Sequence, residues 1–107
     1  MPRYVNPKNP MPTEEARMTE ILGIPHLRAA ILRHLSSCET GATSGEIANV
    51  LGTRYQTVQR HLEQLEQLGV VQASVPPPRQ GHHVVFAIKA DVLSEAIKKN
   101  ADYIQGH

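Results

Sequence analysis

The stretch Thr43 to Val71, T-S-G-E-I-A-N-V-L-G-T-R-Y-Q-T-V-Q-R-H-L-E-Q-L-E-Q-L-G-V-V, decides how the rest of the chain is read. Thr43 and Glu46 have the T-x-x-E spacing in which hydroxyl and carboxylate each satisfy an amide donor left open at a helix start. Ile47, Ala48 and Leu51 then share one face. Gly52 supplies the left-handed stop that a tight turn needs. A second, longer helix opens at Thr53 or Arg54, and Val58, Leu62, Leu65 and Leu68 recur along it at spacings of four, three and three, predicting a buried stripe. Its opposite face carries Thr53, Arg54, Tyr55, Gln56, Thr57, Gln59 and Arg60, side chains suited to base edges and phosphates.

Two amphipathic helices about a glycine turn also occur in domains that touch no nucleic acid, so the turn alone is a weak signal. The residues beyond Gly69 add to the case. Val70 to Val75 and His83 to Ile88 flank a Pro-Pro-Pro-Arg-Gln-Gly tip, predicting strand, loop and strand. The expected fold is mainly α with a small β-hairpin: a winged helix-turn-helix, its helices flanking a two- to three-stranded antiparallel wing.

The run L-G-I-P-H-L-R-A-A-I-L-R-H-L, then S-G-E-I-A-N-V-L-G, then T-V-Q-R-H-L-E-Q-L-E-Q-L-G-V-V and the wing, resembles the ArsR-like winged-helix transcriptional regulators over about Leu22 to Ile88. The resemblance implies a homodimer reading a two-fold operator in double-stranded DNA, most simply as a repressor. Founding members carry a cysteine metal motif in the first helix of this unit. Here Ala42, Thr43, Ser44 and Gly45 stand there, which removes the usual thiolate sensor.

With 107 residues the chain is long enough for one domain and one modest core. Trp is absent and Phe86 is the single phenylalanine, so Leu, Ile and Val must fill that core. No apolar run approaches a membrane span and no signal-peptide pattern opens the chain, so a soluble, cytoplasmic protein is expected. Cys38, the single cysteine, has no intrachain disulfide partner. The net charge is only +1, yet the distribution is uneven. Ile47 to Leu62 contains no acidic residue but has Arg54 and Arg60, and Gln67 to Ala90 contains none but has Arg79 and Lys89.

Four prolines in Met1 to Pro12 block regular pairing, so this segment reads as a proline-rich arm, a loose strap or tail rather than a groove-entering arm. Residues 13–106 form the expected domain. Within it Thr13 is read as the cap of a first helix with Met18 and Ile21 on its apolar side. Pro25 opens a second helix bearing Leu27, Ile31 and Leu35, from which Arg28 and Arg33 should project into solvent or to carboxylates. Asp91 is read as the cap of a last helix lined by Leu93, Ala96, Ile97, Ala101 and Ile104. A winged helix has closed its core by Ile88, so this extra apolar face needs a partner. Met18, Ile21, Leu93, Ile97, Ala101 and Ile104 are the expected dimer interface.

In the wing, Pro76 to Pro78 should stiffen the approach to a turn at Gly81 and hold the Arg79 guanidinium out toward DNA, with His82 beside it. His82 and His83, as strand neighbours, would face opposite ways, and His26, His34 and His61 lie singly on helices, so no metal site is expected. No phosphate-binding loop, carboxylate pair or activated nucleophile is present, so neither an enzyme nor a cofactor is expected. Two function classes remain. One is a sequence-specific DNA-binding regulator with helix 54–68 in the major groove and wing 75–83 on the flanking backbone or minor groove, its effector unknown. The other is a winged-helix module that binds protein only.

Overall fold

A computed structural model of the chain describes residues 11–79 and 83–107. Five helices and two strands are arranged in the order α1 (Thr13–Ile21), α2 (His26–Ser36), α3 (Ser44–Leu51), α4 (Tyr55–Gln67), β1 (Val71–Ala73), β2 (Phe86–Ile88) and α5 (Ala90–Ile104). The strands pair antiparallel, Val71 with Ile88, Gln72 with Ala87 and Ala73 with Phe86.

The helix-turn-helix forms for the local reasons its residues give. The Thr43 hydroxyl accepts from the Glu46 amide at 3.1 Å, and the Thr43 amide donates to Glu46 Oε1 at 2.8 Å. That reciprocal cap starts α3. Gly52 stops it at φ 68°, its amide donating to the Ala48 carbonyl. Ile47, Ala48 and Leu51 of α3 then meet Val58, Leu62 and Leu65 of α4, joined by Ile31 and Leu35 of α2, Val70, Val71 and Phe86 in one core. It is aliphatic apart from Phe86, which is fully buried.

Phe86 is paired on both sides. Besides Ala73 in β1, it exchanges two backbone hydrogen bonds of 2.9 Å with Ala42, which adds a third, one-residue strand just ahead of the α3 cap. Gly41 makes this approach feasible: at φ 87°, a Cβ there would stand 2.5 Å from the Phe86 carbonyl oxygen. The strands are shorter than expected because, among the described residues, only one more rung forms, Ser74 N–H to the Val85 carbonyl at 2.8 Å, answered by Val85 N–H to Ser74 Oγ at 2.9 Å. Beyond it, prolines have no amide to donate.

Several expected boundaries move. Thr13 is the first helical residue and caps nothing; Pro12 precedes α1, its extended backbone already outside the helix and its carbonyl accepting from the Ala16 amide. Pro25 stands just before α2. Asp91 is likewise inside α5, because the Lys89 amide is still bound to the Val70 carbonyl and Lys89 must itself be the boundary. Leu68 does not join the buried stripe: α4 ends at Gln67, the chain turns at Gly69 toward β1, and Val70 enters the core instead while Leu68 is 69% exposed.

The outer helices are lightly anchored. In α1 only Ala16 is buried, and its carbonyl meets His26 Nε2 at 3.0 Å, pinning α1 to the start of α2. No residue of α5 is buried, although Leu93 packs against the core. Among the described residues no helix is long and apolar enough to cross a membrane. The arm over 1–12, apart from Met11 and Pro12, lies outside the described residues, as do Gly81, where the turn is expected, and His82.

Candidate nucleic-acid interface

The buried stripe of α4 fixes which way its other face looks. With Val58, Leu62 and Leu65 against the core, Arg54, Tyr55, Gln56 and Arg60 are exposed, while Thr53 and Thr57 are half-buried at the turn. Arg54 is the residue before the helix and its side chain makes no cap, so the first amides of α4 carry no side-chain acceptor. Open amide donors, two guanidinium groups and an absence of carboxylate from Ile47 to Leu62 give this end of α4 a positive character. The nearest acid on α3 is Glu46, whose pKa is lowered by the backbone and side-chain hydrogen bonds from Thr43.

Gln59 is not a free amide. Its Oε1 accepts from Ser44 Oγ at 2.7 Å across the α3–α4 seam, and its Nε2 donates to Glu63 Oε2 at 3.1 Å one turn further along α4, so both ends are engaged. Of the two expected base readers, Gln56 alone stands clear. Gln59 retains one N–H and one lone pair in an orientation set by its neighbours.

Arg28 and Arg79 also depart from expectation. Arg28 turns onto α4 rather than into solvent or to a carboxylate, donating from Nε to His61 Nδ1 at 3.1 Å and from its terminal nitrogen to Gln64 Oε1. The His61 imidazole is driven below its ordinary pKa by burial, with Arg28 and Arg60 adding their positive charge. Arg79 is not held out from the wing. Its Nε donates to the Val75 carbonyl at 2.7 Å, and its terminal nitrogen meets Glu66 Oε2 at 2.5 Å. The guanidinium carbon stands 5.7 Å from the centre of the Phe86 ring. A partly buried acid at hydrogen-bond range outcompetes water for this cation. His82 lies outside the described residues.

The residues expected at a subunit contact form two apolar surfaces. Met18 is 55%, Ile21 73%, Ile97 62% and Ile104 55% exposed, Ala101 is exposed, and Leu93 is half-buried. Leu22, Val92 and Tyr103 enlarge these surfaces. Among the described residues no three His, Cys, Asp or Glu side chains lie close enough to hold a metal ion. Cys38 follows the C-cap of α2, and its Sγ approaches His34 Nε2 in the last turn of that helix to 3.5 Å.

Ser44, Glu63 and Glu66 were not anticipated as members of this surface. No sequence signal marks Ser44 for Gln59, and the acids on α4 look like an ordinary solvated face until the wing is in place.

A helix-turn-helix domain family matches residues 27–72. The transcriptional regulator PA3341 is 32% identical, with 87% of this chain and 69% of that one covered and a TM-score of 0.55. A MarR family transcriptional regulator from Silicibacter pomeroyi is similar in fold at 19% identity, covering 89% and 66%, with a TM-score of 0.56. The winged helix-turn-helix DNA-binding domain of Mb0332 from Mycobacterium bovis, described as homodimeric and a possible ArsR-family regulator, matches at 19% identity over 91% and 94%, with a TM-score of 0.52. Fold similarity therefore extends to MarR as much as to ArsR regulators and does not single out the ArsR-like group. No curated protein matches the sequence.

Proposed function

The chain belongs to the winged helix-turn-helix transcriptional regulators, and from that premise we propose that it binds a two-fold symmetric site in double-stranded DNA as a homodimer, with α4 in the major groove. The observation that carries this is the exposed, acid-free set Arg54, Tyr55, Gln56 and Arg60, presented directly opposite a fully anchored stripe. Gln56 is assigned to base edges, where a free primary amide can pair with adenine through two hydrogen bonds. Arg54, Tyr55 and Arg60, with Thr53 and Thr57, are assigned to the backbone on either side. Gln59 contributes through its one remaining donor. The wing flanks this helix and tracks the neighbouring backbone or minor groove.

The exposed apolar faces of α1 and α5 support assembly into a dimer through Met18, Ile21, Leu93, Ile97, Ala101 and Ile104. Two copies so joined would set their α4 helices about 34 Å apart, one duplex turn, which matches an inverted repeat. Occupation of such a site alone suffices for repression, by excluding polymerase from overlapping DNA.

Gel-shift titration against the DNA upstream of its own gene, at two salt concentrations and with scrambled competitor, tests the proposal. Specific binding that weakens with salt by a small number of released counterions is expected, since few cations face the duplex. Equal affinity for operator and competitor would leave the protein-binding winged helix as the better account.

A further inference from the structure

We propose that Arg79 and Glu66 form a brace that sets the wing against the reader helix, making both positioning residues for DNA binding rather than DNA contacts. The proposal rests on the DNA-binding role above for its consequence, though the brace itself is testable in the free protein. Three consecutive prolines, Pro76 to Pro78, leave the root of the wing with no amide donors over that span. The Arg79 side chain supplies what they lack: its Nε closes back on the Val75 carbonyl at 2.7 Å, fastening residues 75–79 into a compact turn. Its other end is tied to Glu66 at 2.5 Å and lies over the buried ring of Phe86. One side chain therefore joins the wing's root, the last turn of α4 and the core.

The arrangement argues against Arg79 as a phosphate ligand. Its side chain is only 13% exposed and that of Glu66 29%. Swinging the guanidinium out to DNA would abandon a partly buried carboxylate and the Val75 acceptor together. Glu66 is eleven residues beyond Tyr55, about 16 Å along the helix axis, so it acts at the end of α4 remote from the proposed base contacts. It can affect recognition only through the wing's posture.

The two roles predict opposite signs for Glu66→Ala. Removing a carboxylate near a polyanion and releasing a cation should strengthen binding if Arg79 is a competing phosphate ligand. As a brace, Glu66→Ala should instead weaken binding to the upstream DNA about tenfold and shorten the protected footprint at its flanks. Arg79→Met, which keeps the stem against Phe86, should do the same, and the double variant should lose no more than either single one. In the free protein, exchange of the Ser74 and Val85 amides should quicken about tenfold while the α4 amide of Leu62 stays protected. If the parent protein protects no DNA, the functional proposal fails and the exchange rates alone decide the brace. Unchanged exchange at Ser74 and Val85, or binding by Glu66→Ala as tight as the parent's or tighter, overturns it.

Discussion

At the scale of single residues, Gln56 and Arg60 carry different kinds of information. Gln56→Ala should cost about 1–3 kcal/mol at particular base positions, seen as relaxed preference in a mutated-operator panel, whereas Arg60→Ala should weaken all sequences alike and reduce the salt slope by about one. His61 gives a pH dependence whose sign is set by its lowered pKa. The folded protein binds its proton less readily than the unfolded chain, whose imidazole titrates near 6.5. The stabilisation is fully present above that value and is lost as the pH falls through the lower folded one. Protonation also removes the lone pair that Arg28 Nε uses. Urea midpoints at pH 7.5 and 5.5 should differ in that direction, and His61→Asn, which keeps an acceptor facing Arg28, should narrow the gap. Side-chain partnerships were legible in the sequence where partners are local, as in Thr43 with Glu46. They were illegible for Arg79, Arg28 and Gln59, whose partners lie 13, 33 and 15 positions away. A charged or amide side chain of that length has a reach that only the packed elements limit.

At the scale of elements, α3 was readable from its cap, its periodicity and its glycine stop together and α4 from its periodicity, and the structure alters only the last turn of α4, where Leu68 leaves the stripe. The α3 cap should matter in proportion: Thr43→Ala should lower stability by about 1 kcal/mol, measurable by thermal melting. Leu62→Ala, in the fully buried stripe, should cost about 2–5 kcal/mol by the same measurement. The wing was readable only as two apolar runs around prolines. Its true strand ends depend on Ala42 arriving beside Phe86, a contact made possible by Gly41 and invisible in either run alone. The starts of α1 and α5 come one and two residues earlier than expected for a related reason: capping residues recognised by type were displaced by backbone commitments at Pro12 and Lys89.

At the scale of the whole molecule, the apolar faces of α1 and α5 are the feature that a single copy leaves unresolved. Ile97→Glu should place an unpaired charge in the proposed contact and yield monomers by sedimentation, with helices intact by circular dichroism and protection reduced to a half-site. A parent protein sedimenting as a monomer at micromolar concentration would count against the dimer while leaving the helix-turn-helix in place. The double pairing of Phe86 bears on a different property, how much the chain's length can vary. Both roots of the wing are tied independently, one through Ala73 and the Ser74–Val85 rung, the other through Ala42. Extra residues inserted between Arg79 and His83 lengthen only the chain between roots already held, and doubling the length of a flexible closure costs about 0.6 kcal/mol. Glycine-serine insertions there should therefore leave the melting temperature nearly unchanged while altering the length of DNA protected, so that wing length can vary almost independently of the fold that bears it.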